Sequence, residues 1–259
     1  MIKKCDMITK MINGGIMKKF IGICIMIIIL TVCIIAFLIY NGNIKFNHPS
    51  SKDYPVRGVD VSEYQGEIDW EKLSNQNIDF AYIKATEGSS YTDERFQYNY
   101  QNAITTNLKI GAYHFFSFDS DAISQSENYI KNVPKDMNLL PPVVDIEFYG
   151  DKNKNIPDVE TTREQLKKLL ERLEEYYQKK PIIYATNTSY NLYIKDNFEE
   201  YKIWIRDIFS TPNLKDDRKW TLWQYTNRER LEGYNGEEKF IDMNVFNGSY
   251  EEFIKLVEE

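Results

Sequence analysis

Two carboxylic acids, Asp145 and Glu147, stand at the end of a short apolar run that begins at Val143. Residues i and i+2 of a β-strand point to the same side, so the two carboxyl groups should lie together. We expect them at the carboxyl end of their strand, because a polar loop follows and an ionised carboxylate inside a sheet is costly unless it is paired or solvated. Active sites of parallel βα barrels lie at that end of the strands. The alternative is a strand that ends in two structural acids.

Paired carboxyl groups are typical of enzymes that cleave glycosidic bonds. A general acid that works near neutral pH needs a carboxyl whose pKa is raised by burial or by a neighbouring negative charge. Glu147 has such a neighbour in Asp145, so their titrations should be coupled. The distance between the two carboxyl groups differs between glycosidases that retain the anomeric configuration, at about 5–5.5 Å, and those that invert it, at about 6.5–9.5 Å. Assistance by an acetamido group of the substrate is a third route, and the sequence leaves all three open.

From Pro55 onward, short apolar runs alternate with helical patterns, and the last three runs have no long helices between them. The predicted strands are Arg57–Ser62, Phe80–Thr86, Lys109–Phe116, Val143–Glu147, Pro181–Thr186, Lys202–Arg206, Trp220–Thr226 and Ile241–Phe246. A capping box at Thr161 predicts the start of a helix, whose buried face has apolar residues at i, i+3, i+4 and i+7 from Leu166. This pattern predicts an α/β barrel with a degenerate last third over residues 55–259.

Composition limits the classes of function. The 259 residues carry a formal net charge of −7, and the first 40 contain five lysines and one aspartate, so the acidic excess lies in the rest. Nucleic-acid binding is not expected, because it needs clustered Lys and Arg. All three cysteines fall within the first 33 residues and the only histidines are His48 and His114, so we expect no metal site and no cofactor. We interpret His114 as a structural residue of its strand.

Residues 21–40 form an uncharged, strongly apolar stretch. Twenty helical residues span roughly 30 Å, the thickness of the hydrocarbon core of a bilayer. Lys18 and Lys19 precede the stretch, so the positive-inside rule places the N-terminus in the cytoplasm and the large domain outside. We predict a cytoplasmic leader over 1–19, with Met1 or Met17 as the start, a transmembrane signal anchor over 20–40 and a linker over 41–54. The alternative is secretion after signal cleavage, which the length of the stretch disfavours.

Seven motifs, taken in order, resemble the glycoside hydrolase family 25 lysozymes. They are RGVDVSEYQG with IDW within 57–70, FAYIKATEG at 80–88, GAYHF at 111–115, PVVDIE at 142–147, IIY at 182–184, LWQY at 222–225 and IDMNVF at 241–246. Each motif is weak by itself, whereas seven in the right order from about Arg57 to the C-terminus are specific. The sequence departs from the family at Arg206 and Asp207, where a small residue usually follows the Trp-Ile pair. This departure concerns the shape of the substrate groove.

The resemblance implies an irregular (β/α)5(β)3 TIM-like barrel that hydrolyses the β-1,4 bond between N-acetylmuramic acid and N-acetylglucosamine in peptidoglycan. It implies that Glu147 is the general acid, and that Asp145 orients the N-acetyl group of the substrate or stabilises positive charge. It also implies that Asp60 and Asp242 are further acids of the cleft. The residues expected to contact sugar are Tyr64, Tyr113, Tyr184, Trp223 and Gln224, although each ring is an equally plausible core residue.

Structural alternatives remain for two of the acids, since Asp60 could pair with Lys84 and Asp242 could cap a turn. Two other functions are also compatible with the sequence. One is a barrel glycosidase that acts on another N-acetylhexosamine polymer, and the other is a non-catalytic glycan-binding or scaffold module of an envelope assembly. We favour a membrane-anchored muramidase that faces outward, binds peptidoglycan glycan strands, and acts in wall remodelling or local wall opening with envelope proteins that the sequence does not identify.

Overall fold

The structure, a computed structural model, describes residues 2–136 and 138–258, with side chains from residue 17 onward. It consists of two compact units, Met1–Lys45 and Phe46–Glu259. The first unit is dominated by helix α1, Ile2–Tyr40. Within α1, the segment Met17–Tyr40 is long and apolar enough to cross a membrane, and it is not buried. Length and composition of this kind fit either a membrane anchor or a signal sequence.

The second unit is a closed barrel of eight strands. The strands of the unit are β1 Arg57–Val61, β2 Phe80–Glu87, β3 Tyr91–Thr92, β4 Lys109–Phe115, β5 Val143–Ile146, β6 Ile182–Thr186, β7 Lys202–Arg206, β8 Leu222–Glu229 and β9 Ile241–Phe246. All except β3 form the barrel, in the order β1-β2-β4-β5-β6-β7-β8-β9 and back to β1. Every predicted strand is present, so the predicted α/β barrel is confirmed. The short β3, which was not predicted, pairs with the end of β2.

Neighbouring barrel strands are parallel except around β9, which runs antiparallel to both β8 and β1. The helices of this unit are α2 Trp70–Ser74, α3 Phe96–Ala103, α4 Ala122–Asn132, α5 Val159–Tyr177, α6 Asn187–Ser189 and α7 Tyr250–Glu258, with a 3-10 turn at Glu63–Gln65 and a π-helical turn at Tyr190–Ile194. In the described chain no long helix separates β7, β8 and β9, as the sequence predicted. The C-terminal helix α7 was not predicted.

Helix α5 begins earlier than the capping box indicated. Its N-cap is Asp158, whose carboxylate accepts a hydrogen bond from the backbone N–H of Thr161 at 2.9 Å. Thr161 therefore lies inside the first turn, and its role as the N-cap was a wrong prediction. Both residue types cap helices well, so the backbone conformation at Asp158 decides between them. The predicted leucine face is buried, beginning with Leu166.

Two apolar layers hold the barrel together. Val144 and Ile146 of β5 pack outward with the leucines of α5, while Val143 points into the lumen. The lower lumen is filled by a second cluster that includes Phe80 and Phe246, and α7 closes it with Phe253. The Phe253 ring centroid lies 5.3 Å from that of Phe80 and 5.4 Å from that of Phe246. Burying one such ring contributes on the order of 1.5–3 kcal/mol.

The lumen is narrow at this cluster, and a glycine leaves room for the aromatic ring of Tyr82. A Cβ atom on Gly111 of β4 would lie 2.2 Å from a ring carbon of Tyr82. Tyr82 itself is fully buried, and its hydroxyl donates to the carbonyl oxygen of Pro141 at 3.2 Å. The glycine in the GAYHF motif therefore reflects the space that the ring of Tyr82 occupies.

Residues 46–54, which the sequence assigned to a linker, belong to the second unit. The side-chain amide of Asn47 donates to the carbonyl oxygens of Asp207 at 3.0 Å and Tyr225 at 3.2 Å. The rings of Tyr54 and Trp220 pack with their centroids 5.7 Å apart. The compact unit thus begins at Phe46 rather than at the first strand.

Candidate active site

Asp145 and Glu147 occupy the carboxyl-terminal end of β5. Asp145 lies within β5 and is only 7% exposed. Glu147 is the first residue after β5 and is partly buried. Both line the same cleft. Val144, which precedes Asp145, and Ile146, which lies between the two acids, point into the outer apolar layer. The predicted i, i+2 alternation is therefore confirmed for this strand.

The cleft has a volume of about 360 Å³. It is built from the last lumen-facing residues of the strands together with residues of adjoining loops. Its lining consists of Asp60, Val61, Ser62, Tyr64, Gln65, Lys84, Tyr113, Phe115, Asp145, Glu147, Phe148, Tyr184, Arg206, Gln224, Glu238 and Asp242. The structure thus brings together the four acids that the sequence singled out, although they come from three strands far apart in the chain.

The strand order places acids and cations in alternate sectors of the barrel. β5, with Asp145 and Glu147, lies across from β9, which carries Asp242. β2, which carries Lys84, lies across from β7, which carries Arg206. The two cations therefore approach the carboxyl groups from opposite walls, which moderates the repulsion among them.

Side-chain amides hold two of the four acids. Gln224 Nε2 donates to both carboxylate oxygens of Asp60, at 3.1 and 3.0 Å, and to Asp242 Oδ2 at 2.9 Å. Asn244 Nδ2 adds a further hydrogen bond to Asp60 Oδ1 at 2.6 Å. Asp242 therefore accepts from a side chain of β8 rather than capping a turn.

Each of these amides is itself fixed by an aromatic donor. Trp204 Nε1 donates to Asn244 Oδ1 at 2.8 Å, and the hydroxyl of Tyr184 donates to Gln224 Oε1 at 3.2 Å. The pairing of Asp60 with Lys84 that the sequence left open is not formed, because Lys84 Nζ lies 2.7 Å from Glu87 Oε2. A chain of hydrogen bonds thus joins β6, β7, β8, β9 and β1 at the level of the acids.

The other two acids have no such support. Among the described residues, neither the carboxyl group of Asp145 nor that of Glu147 has a hydrogen-bond or ion-pair partner. Asp145 Oδ1 is moreover fully buried. A buried, unpartnered oxygen is costly, and a buried carboxyl group reduces that cost by keeping its proton.

Burial raises the pKa of both members of this pair. For Asp145 the negative charge of Glu147 adds to the effect of burial and takes the pKa well above its ordinary value. For Glu147 burial again raises the pKa; the positive charge of Arg206 opposes the rise, and the negative charge of Asp60 adds to it. The pair thus retains a proton at a pH at which exposed carboxyl groups have lost theirs, which is the condition for general-acid catalysis near neutral pH.

Burial also raises the pKa of the two amide-bound acids. The pKa of Asp242 lies well above its ordinary value because the charge of Asp60 adds to burial. The pKa of Asp60 is raised by burial, against hydrogen bonds from Asn244 and Gln224 that favour its ionised form. Four carboxyl groups in one cleft therefore do not all ionise together near neutral pH.

Four of the five predicted sugar-contacting residues line the cleft, namely Tyr64, Tyr113, Tyr184 and Gln224. Tyr64 is 47% exposed at the rim, and the others lie deeper. Trp223 does not line it: its ring is buried in the outer apolar layer, and its Nε1 donates to the carbonyl oxygen of Asp207 at 2.8 Å. Its assignment to the substrate site is wrong, because adjacent strand residues face opposite sides and Gln224 takes the lumen side.

Sequence reasoning did not assign Lys84, Phe115 or Asn244 to the site, and it connected Arg206 only with the shape of the groove. Lys84, Phe115, Arg206 and Asn244 each lie two residues from another lumen-facing residue of the same strand. The period of two along each strand is the signal that identifies them. His114, by contrast, is fully buried away from the cleft, with its nitrogens bonded to Thr86 and Gln125, so its structural interpretation is confirmed.

Several known proteins resemble this chain. A family 25 glycosyl hydrolase from Bacillus anthracis is 51% identical, with a TM-score of 0.78, over 82% of this chain and 97% of that chain. A bacterial lysozyme from Streptomyces coelicolor is 29% identical, with a TM-score of 0.69, over 78% and 97%. Lysozyme M1 of Streptomyces globisporus is 32% identical over 214 residues, which cover 78% of this chain and 71% of that protein.

The family model described as Glycosyl hydrolases family 25 matches residues 59–234. The chain belongs to this family. The matched range includes the acids of β1 and β5, and the family 25 barrel brings Asp242, which lies beyond that range, into the same cleft. The chain is therefore a glycosyl hydrolase whose cleft combines an unpartnered carboxyl pair with an amide-bound one.

Proposed function

We propose that this family 25 glycosyl hydrolase is a muramidase that cleaves the β-1,4 bond between N-acetylmuramic acid and N-acetylglucosamine in peptidoglycan. The division among the four acids is the observation that carries the proposal. Asp60 and Asp242 are held by amides, whereas Asp145 and Glu147 lie side by side without a hydrogen-bond or ion-pair partner in the described part of the chain. The likeness to lysozymes from two Streptomyces species supports the choice of substrate.

In this proposal Glu147 donates its proton to the leaving oxygen. Burial keeps that proton in place, and the position directly after β5 exposes the carboxyl group to the cleft. Asp145 accepts the N–H of the substrate's acetamido group or stabilises the positive charge that develops on the sugar. Asp60 and Asp242 are further acids of the cleft, held in place by side-chain amides. Tyr64, Tyr113 and Tyr184 provide rings against which sugars pack.

We also propose that the apolar segment Met17–Tyr40 anchors the enzyme in the membrane, with the barrel outside the cell. Lys18 and Lys19 at its start favour that orientation. A tether restricts cleavage to wall near its own membrane, which suits remodelling or local opening of the wall rather than attack on other cells.

The test is the release of reducing ends from purified peptidoglycan by the full chain in detergent, compared with Glu147→Gln. The amide keeps the shape of the side chain but has no acidic proton, so we expect activity to fall by about a hundredfold or more. Binding of the variant to the wall should persist. Glu238→Gln, at an exposed acid of the cleft rim, is the matched control and should remain active.

Other outcomes of these assays would indicate other functions for the protein. Wall binding without any release of reducing ends would identify a glycan-binding module. Cleavage of chitin oligomers without cleavage of wall would identify a different N-acetylhexosaminidase activity. Equal activity of the wild type and Glu147→Gln would disprove the role of Glu147.

A further inference from the structure

Arg206 is a cation of the cleft that no described side chain holds by a hydrogen bond or an ion pair. Among the described residues that line the cleft, two are cationic, Lys84 and Arg206. Lys84 is engaged, because its Nζ pairs with Glu87 and also lies 5.0 Å from the ring centroid of Phe115. The guanidinium of Arg206 forms no hydrogen bond, ion pair or ring contact with any described residue. It is therefore available to a ligand.

The position of Arg206 is set by rigid structure. It is the last residue of β7 and pairs with Thr186 of β6 and Gln224 of β8. The next residue, Asp207, faces away from the lumen, and its carboxylate accepts hydrogen bonds from Asn187 Nδ2 and from the backbone N–H of Phe209. Asp207 is thus engaged by these donors and does not pair with the guanidinium of Arg206.

A guanidinium without a direct partner matters in this cleft because five acids also line it, namely Asp60, Asp145, Glu147, Glu238 and Asp242. An anionic ligand would meet these acids on the walls of β1, β5 and β9, and the wall of β7 offers it a cation that is not engaged by a neighbouring acid. Guanidinium groups bind carboxylates through two parallel hydrogen bonds. A ligand with a carboxylate would therefore be oriented by Arg206, whereas a neutral glycan has no use for it.

We propose that Arg206 binds the lactyl carboxylate of muramic acid residues and so makes the enzyme selective for glycan strands from which the stem peptide has been removed. This inference rests on the proposed function. The lactyl group of peptidoglycan ends in an amide where a peptide is attached and in a free carboxylate where it is not, and chitin-type strands have neither. A reaction that removes stem peptides would then supply the preferred substrate.

The test compares two glycan strands that differ only in charge, one with free lactyl carboxylates and one with their methyl esters. The full chain in detergent should cleave the free acid with a kcat/KM about tenfold or more above that of the ester. Arg206→Gln should abolish this preference, chiefly through KM, and Arg206→Lys should restore part of it. Each protein is assayed at its own pH optimum, because Arg206 also lowers the pKa of Glu147.

The control is Lys152→Gln, which removes a cation that lies outside the cleft and pairs with Asp119, and it should keep the wild-type preference. Equal cleavage of acid and ester by the wild type would overturn the inference and leave the muramidase function intact. An equal loss on both substrates in Arg206→Gln would also overturn it. If neither strand is cleaved but purified peptidoglycan is, the inference is overturned and the muramidase function stands; if none of the three is cleaved, the proposed function fails. Calorimetric binding of both strands to Glu147→Gln, with and without Arg206→Gln, then decides whether Arg206 selects the free acid.

Discussion

At the scale of single residues, the four acids differ in the contacts that hold them in place. Two amides fix Asp60 and Asp242, so these groups cannot move to follow a substrate without breaking hydrogen bonds. Asp145 and Glu147 have no such constraint among the described residues. Because these two carboxyl groups have no such partners, both can form hydrogen bonds with a glycan. The same lack of partners lowers the stability of the enzyme without substrate.

That cost predicts that Asp145→Asn stabilises the fold at neutral pH. Burial and the charge of Glu147 raise the pKa of Asp145 in the folded protein, so the folded state binds this proton more tightly than the unfolded state. The resulting stability is complete below the unfolded pKa, about 4, and is lost as pH rises through the folded pKa. Asparagine has no proton to lose. The variant's advantage in free energy of unfolding should therefore grow between about pH 4 and pH 8, as measured by chemical denaturation.

Asp121→Asn provides the control for this measurement. Asp121 is an exposed acid at the start of α4, and hydrogen bonds from Ser124 lower its pKa. Its substitution should bring no gain in the free energy of unfolding that grows with pH. A constant difference between Asp145→Asn and the wild type across the pH range would contradict the assignment of a raised pKa to Asp145.

At the scale of elements, the lumen is assembled from complementary large and small residues on neighbouring strands. The ring of Tyr82 on β2 fills the space beside Gly111 on β4. The ring also lies 5.0 Å, between centroids, from that of Trp204, whose Nε1 bonds to Asn244. Packing at this level therefore helps to position the amides that hold Asp60.

We expect Gly111→Ala to destabilise the protein by about 1–3 kcal/mol, because overpacking forces ring and strand apart. The midpoint of urea denaturation measures the change. Combining it with Tyr82→Leu, which removes the clashing ring, should give a smaller loss than the sum of the two single substitutions. Strict additivity of the two losses would show that Gly111 and Tyr82 do not interact in the way described.

The strands and their lumen-facing residues could be predicted from sequence because the side-chain period of a strand is two. Applied to β8, the same rule separates Trp223 from Gln224, so the error there was avoidable. The hydrogen bonds from Gln224 and Asn244 to Asp60 could not be predicted, since they depend on the register with which antiparallel β9 closes the barrel. The N-cap of α5 was missed because Asp158 and Thr161 are both favourable cap residues.

At the scale of the whole molecule, the barrel unit extends beyond its strands. Residues 46–54 pack on it through the amide of Asn47 and the ring of Tyr54. The N-terminal limit of an expressible fragment should therefore be Phe46 rather than Pro55.

We predict that fragment 55–259 is less stable than fragment 46–259 by about 3–6 kcal/mol, because it loses two hydrogen bonds from Asn47, one from Arg57 to Pro49, and three aromatic contacts of Phe46 and Tyr54. Thermal and urea denaturation of the two fragments measures the difference. Asn47→Ala in the longer fragment should show part of the loss. Equal stability would show that the segment contributes nothing to the barrel.

The full chain should remain in the membrane fraction after alkaline carbonate extraction, with its mass unchanged, if Met17–Tyr40 is an uncleaved anchor. Replacing Ile27 and Ile34 with lysine should release it, since each charge at the centre of a span costs about 2.5–3.5 kcal/mol on the insertion scale. A shorter, soluble product from the unaltered chain would instead indicate signal cleavage and secretion.

The aromatic plug formed by Phe253 against Phe80 and Phe246 makes the barrel a blind tube with one mouth. These apolar rings exclude water from that end of the lumen, so in the described part of the chain the cleft is the route by which both water and the glycan reach Asp145 and Glu147. A bound strand that fills the mouth would block this exchange. The number of protons available to the reaction would then be fixed at the moment of binding, before any bond is broken.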